Sequence, residues 1–148
     1  MPKEFSEDTI FLLQECSAGS KMAIDSMDHI RSRVEDKQLI EIMDKYHDSH
    51  TKLERECQAM LREAGAEDKE PNMFAQAFAT MQSRIKMFLE NNDKSEAASL
   101  LTDGCSMGIK SLSEYINKYK NANNESQDIA RRLRDTEEHM MEDLQPML

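Results

Sequence analysis

The sequence predicts an all-α protein, and three observations carry that prediction. Helix breakers are nearly absent: the prolines are Pro2, Pro71 and Pro146, so stretches 3–70 and 72–145 hold no residue that forbids a helix. Strand formers are scarce, with Val34 the single valine and no tryptophan, while Leu, Met, Ala, Glu, Lys and Arg abound. The chain also nearly repeats itself. Cys16-Ser17-Ala18-Gly19-Ser20-Lys21 returns as Cys105-Ser106-Met107-Gly108-Ile109-Lys110, each copy inside a long helical pattern that a second one follows. Two copies of a helix pair predict a duplicated four-helix bundle.

Ser6 caps the first helix, with Glu7 and Asp8 matching the positive end of its dipole. Ile10, Leu13, Cys16, Ser20, Ala23, Met27, Ile30 and Val34 then recur at steps of three and four, which marks one buried face ending near Val34. A second helix is expected over residues 36–64, with Leu39, Met43, Tyr46, His50, Leu53 and Cys57 on its face and Gly65 closing it. The polar run 66–71 links to a shorter helix over 72–90, where Phe74, Ala77, Phe78, Met81, Ile85 and Phe88 share one side. That stripe either covers the bundle or receives a partner. Asp93-Lys94-Ser95-Glu96 has the spacing of a capping box and opens a helix with Ala97, Leu101, Cys105, Gly108, Leu112, Ile116 and Tyr119 inward. Asn124-Glu125-Ser126-Gln127 repeats the box spacing before a last helix whose face is Ile129, Leu133, Thr136, Met140 and Leu144. The expected organisation is one domain over 1–148: hairpin 7–65, crossover 66–92 and hairpin 93–145.

Composition removes several function classes. The net charge is −10, and the densest basic run, Arg131-Arg132-Leu133-Arg134, is flanked by Asp128, Asp135, Glu137 and Glu138. Nucleic-acid binding needs phosphate neutralisation that this field opposes. No apolar run approaches the ~20 residues of a membrane span, and the polar, acidic N-terminus is no secretory signal. Cys16, Cys57 and Cys105 form no CxxC pair and imply no disulfide framework, so a cytoplasmic protein is expected. Phosphate-cradling glycine loops, nucleophile elbows and dinucleotide fingerprints are absent.

The residues that could carry chemistry are polar groups on apolar faces. His50 falls on the stripe of the second helix, with His47 and Glu54 one turn to either side, and Glu137 and His139 lie on the facing stretch of the last helix. His-x-x-His-x-x-x-Glu can present three metal ligands from one helix. The alternative is a core histidine bonded across the bundle. Lys21 and Lys110 occupy the mid-helix zone of the two repeats, where an ammonium has no lone pair for a metal. They pair with Glu54 or Glu137, or reach the surface along their stems. Gly19 and Gly108, costly in a helix interior, suggest close approach of the first and third long helices, with Cys16 facing Cys105 across the pseudo-twofold. Twelve methionines fit core filling better than copper(I) binding.

The order of these features resembles the ferritin-like superfamily and, more narrowly, an uncharacterised bacterial family of rubrerythrin-related four-helix proteins. The resemblance covers nearly the whole chain. It rests on residues 12–19 (LLQECSAG), residues 57–65 (CQAMLREAG), the crossover helix and residues 98–105 (ASLLTDGC). It implies a di-iron centre built from a Glu on the first and third bundle helices and Glu-x-x-His on the other two. The nearest matches here are His47-x-x-His50 and Glu137-x-x-Met140, with Lys21 and Lys110 near the missing glutamates. Only His50 and Glu137 keep the residue type. The functional expectation is therefore a non-enzymatic ferritin-like bundle with a degenerate metal site, no catalytic residue and no cofactor, acting by association as a homodimer. The alternative is a redox or stress protein holding iron or manganese on His47, His50, Glu54, Glu137 and His139.

Overall fold

The computed structural model describes residues 5–68, 75–91 and 93–148, without the side chains of 75–78 and 94. These residues are all-α: α1 Glu7–Arg31, α2 Lys37–Glu63, α3 Ala75–Asn91, α4 Lys94–Lys118 and α5 Asn124–Leu144, then a single 3₁₀ turn, Gln145–Met147. Local chemistry explains the ends. Ser6 Oγ accepts from Thr9 N at 3.2 Å, and the Asp36 carboxylate accepts from Leu39 N at 2.9 Å. α2 closes on Gly65, whose φ of 67° is left-handed. Ala66 N–H donates to Leu61 O at 2.9 Å and Gly65 N–H to Arg62 O at 3.0 Å, the paired bonds of a Schellman motif.

Two of the expected starts differ in detail. The cap of α5 is Asn123, which accepts from Ser126 N at 2.9 Å, one residue before the expected box. At α4 the cap is Asp93 as expected, but it accepts from Ser95 N. Glu96 faces Arg84 instead, whose guanidinium also donates to Asp103 Oδ2 at 2.5 Å and so ties α3 to α4. α1 stops at Arg31, a turn short of Val34.

α1 packs along α2 and α4 along α5 as two hairpins; α2 lies on α5, α1 on α4, and α3 covers α1 and α4. The turn between α4 and α5 docks on the start of α1, because Asn123 N donates to Thr9 Oγ1 at 2.8 Å and Asn121 N to Asp8 Oδ2 at 3.1 Å. Tyr46 Oη donates to Asp143 Oδ2 at 2.5 Å, and Arg132 forks onto Glu56 at 2.9 and 3.0 Å, so α2 and α5 are joined on both flanks.

The apolar interior divides in two along the helices. One cluster gathers Leu12, Leu13, Cys16, Leu53, Cys57 and Leu133. The other gathers Met27, Ile30, Met43, Leu101, Cys105 and Met140. Each buried Leu or Ile contributes roughly 1.5–3 kcal/mol. Cys16 is hydrogen-bonded to Cys57 within the first cluster while Cys105 lies in the second, so the expected meeting of Cys16 and Cys105 does not occur. Ile85 and Phe88 of α3 are buried in the second cluster rather than offered to a partner. Phe74 lies outside the described residues, as does the side chain of Phe78.

Replacing Gly65 with alanine forces a Cβ into the left-handed region although no atom of the described residues lies within 4 Å of it. Urea unfolding of Gly65→Ala is expected to show a loss of about 1 kcal/mol at unchanged m-value. Leu12→Ala, at a site with 0% exposure, is expected to lose roughly 2–5 kcal/mol in the same measurement.

Candidate functional site

Between the two apolar clusters, at mid-length, the helices bring a polar pair inside. His50 sits on the buried stripe of α2 and is 1% exposed. Its Nδ1–H donates to the Tyr46 carbonyl at 2.6 Å, which leaves Nε2 against Glu137 Oε1 of α5. A carbonyl only accepts, so the Nδ1 proton is fixed and the remaining proton lies in the bond to Glu137. Burial by itself would push this imidazole down. The bond to Glu137, its charge and the Tyr46 carbonyl outweigh that, and His50 is held above the usual histidine range. The pair is thus a buried imidazolium–carboxylate bridge joining α2 to α5.

Glu137 is seated by α4. The Cys105 thiol donates to it, and burial, the Glu137 charge and that bond together push the thiol well up. A Cβ on Gly108 would stand 3.3 Å from Glu137 Cδ and 3.4 Å from its Oε2. The helical glycine in the second repeat therefore makes room for a carboxylate, a different role from the expected close approach of two helices.

Two further carboxylates are buried on the α1–α2 side. Glu54 accepts from Ser17 Oγ at 2.6 Å and Gln58 Nε2 at 2.7 Å, with Lys21 Nζ 3.8 Å away at its outer edge. Glu15, 2% exposed, accepts from the Tyr115 hydroxyl, which burial and the Glu15 charge push far up. Glu15 lies off the Leu13–Cys16–Ser20 stripe of α1, and Tyr115 lies off the Leu112–Ile116–Tyr119 stripe of α4. For Glu15 the signal is a parallel stripe on α1, Leu12–Glu15–Gly19–Met22.

Of the five residues expected to form a metal site, the structure brings together His50 and Glu137. His47 lies at the edge, with Nε2 3.0 Å from Asp28 Oδ1 of α1. Glu54 is engaged with α1, and His139 is exposed. Lys21 and Lys110 are both exposed, Lys21 pairing with Asp68. They do not enter the interior, because a lysine stem of this length reaches water from the helix flank. Among the described residues, no group of three or more His, Cys, Asp or Glu is arranged to hold a metal ion.

A cavity of about 90 Å³ opens between α1 and α4 under α3. Glu15, His50 and Glu137 are among its lining residues, with Leu, Ile and Met making up much of the rest. Gly19, Gly104 and Gly108 border it, three of the four glycines in the chain.

Removing one half of the buried bridge strands the other. His50→Ala is expected to lose roughly 3–5 kcal/mol at pH 6 by urea unfolding, while the double variant His50→Leu with Glu137→Leu recovers most of that loss. Because the folded-state pKa of His50 is raised, its stabilisation is complete below the ordinary imidazole value of ~6.5 and declines as pH rises through the raised one. The gap between wild type and His50→Ala is expected to narrow over that interval.

Among the described residues, no helix is long and apolar enough to cross a membrane. No known family model matches this chain, and no curated protein matches its sequence. The crystal structure of a DUF305 fragment from Deinococcus radiodurans shares its fold, with a TM-score of 0.79 over 97% of this chain and 97% of that one at 13% identity. What these comparisons establish is an all-α, DUF305-like helical fold.

Proposed function

We propose that the chain is a ferritin-like four-helix bundle, with α1–α2 and α4–α5 as its two hairpins and α3 as the crossover, that works without a resident dinuclear metal. One observation carries this reading: both ring nitrogens of His50 are engaged, Nδ1 by the Tyr46 carbonyl and Nε2 by Glu137. A histidine ligates a metal through a ring nitrogen free of its proton, and here neither nitrogen offers that lone pair. The other candidates support the same reading. Glu54 is held by Ser17 and Gln58, Glu15 by Tyr115, and His47 faces Asp28 on the flank. Where the family chemistry would place bridging carboxylates and cations, this chain places an internal ion pair.

The protein then acts by binding rather than by redox turnover, and a homodimer is its simplest assembled form. The competing reading, an iron or manganese protein, draws on the fact that Glu15, His50 and Glu137 border one cavity. Such a site would need His50 to release Glu137 and lose a proton, so affinity would climb steeply with pH.

Protein purified without chelator and then equilibrated with iron(II) or manganese(II) at pH 7 is expected to retain only substoichiometric metal after gel filtration, measured by plasma emission. Two equivalents per chain, lost in His50→Ala, would overturn the proposal. Light scattering on the same samples reads the assembly state, and a monomer at all concentrations would remove the homodimer.

A further inference from the structure

The four long helices pack on one another as a ring, and α3 rests on that ring from outside, against α1 and α4. The hairpins are joined to each other without it. His50 to Glu137, Tyr46 to Asp143 and Arg132 to Glu56 link α2 to α5, and the α4–α5 turn is docked on α1 through Thr9 and Asp8. Lifting α3 away would break none of these bonds.

The seat of α3 differs in kind from the hairpin interfaces. Among its described residues the buried stripe is Met81, Ile85 and Phe88, while Gln82, Ser83 and Lys86 beside them are exposed. Met81 and Ile85 line the cavity of about 90 Å³ together with residues of α1 and α4. Side chains that border such a space forgo part of the dispersion contact of a close-packed interior. The polar tie sits at the wet rim: Arg84 donates to Asp103 at 2.5 Å and lies 3.4 Å from Glu96, and all three side chains are a third to a half exposed. Ion pairs this exposed hold their partners weakly. Cys105, His50 and Glu137 line the same cavity, whereas Cys16 and Cys57 belong to the other apolar cluster.

We infer that α3 is a lid. It lifts from α1 and α4 while both hairpins stay folded, and this opening, rather than unfolding of the bundle, admits small molecules to Cys105 and to the level of the His50–Glu137 bridge. Opening of one element at a lower free energy than the whole fold is ordinary protein behaviour. The inference goes beyond the metal-free reading and does not depend on it, since the lid opens or stays shut whatever the metal content.

The three cysteines report on it. The full chain is labelled with methyl methanethiosulfonate, a small neutral thiol reagent, at several urea concentrations below the unfolding transition, and each cysteine is followed by peptide mass spectrometry. Cys105 is expected to react on the order of tenfold or more faster than Cys16 and Cys57, with a shallower but non-zero urea slope, because lifting α3 exposes less surface than unfolding the chain. Backbone amides of residues 79–91 are expected to exchange hydrogen with that same slope. Arg84→Ala, which removes the tie, is expected to speed Cys105 roughly two- to fivefold. Ile129→Val, in the cluster away from α3, is expected to speed Cys16 and Cys57 roughly two- to tenfold and leave Cys105 unchanged, because the lifted state keeps that cluster intact. One common urea slope for the three cysteines, a Cys105 rate independent of urea, no change in Arg84→Ala, or an Ile129→Val variant that speeds Cys105 as much as Cys16 would each overturn the inference. If either variant does not fold, the wild-type slopes decide it.

Discussion

The bridge between His50 and Glu137 is the constraint around which the middle of this molecule is arranged. A buried ion pair stays ionised only when its geometry is good and its remaining donors and acceptors are met. Here each requirement is supplied by a different helix. The Tyr46 carbonyl, one turn back on α2, orients the imidazole. Cys105 on α4 donates to the carboxylate, and Gly108 on α4 withholds the Cβ that would crowd it. Three helices are thereby fixed in register at one level.

That polar level also explains why the core is two clusters rather than one. Leu12, Leu53 and Leu133 pack on one side of it; Met27, Met43 and Met140 pack on the other. An apolar layer at mid-length would bury more area, at ~25 cal/mol per Å². A charged pair that can close in only one register instead disfavours sliding of α2 along α5. Specificity of that kind is a hypothesis for this chain, with the stranded-charge variants as its probe.

The same residues set the chemical character of the cavity. Glu137 and His50 line it together with Glu15, and Gly19, Gly104 and Gly108 on α1 and α4 border it.

Much of the fold was legible in the sequence because it depends on local rules. The scarcity of proline and valine dictates helix, and the steps of three and four pick out the buried faces, His50 included. Ser6, Asp36, Gly65 and Asp93 mark helix ends through their own hydrogen-bonding and conformational preferences. Partnership between helices was not legible. Periodicity says that a residue points inward, yet the rotation and register of one helix against another decide whom it meets. So Cys16 meets Cys57 and not Cys105, Glu137 takes the inward place that spacing had assigned to Thr136, and Glu15 comes inside from a second stripe. The lysines that looked poised to block a metal site run out to water, and a glutamate met by a histidine one helix away fills the centre. Sequence alone determined the helices and most of their buried faces, because those follow from bonds and side chains a few residues apart. Tertiary structure decided the site, because a buried charge is stable only beside a partner that the chain supplies from 87 residues away.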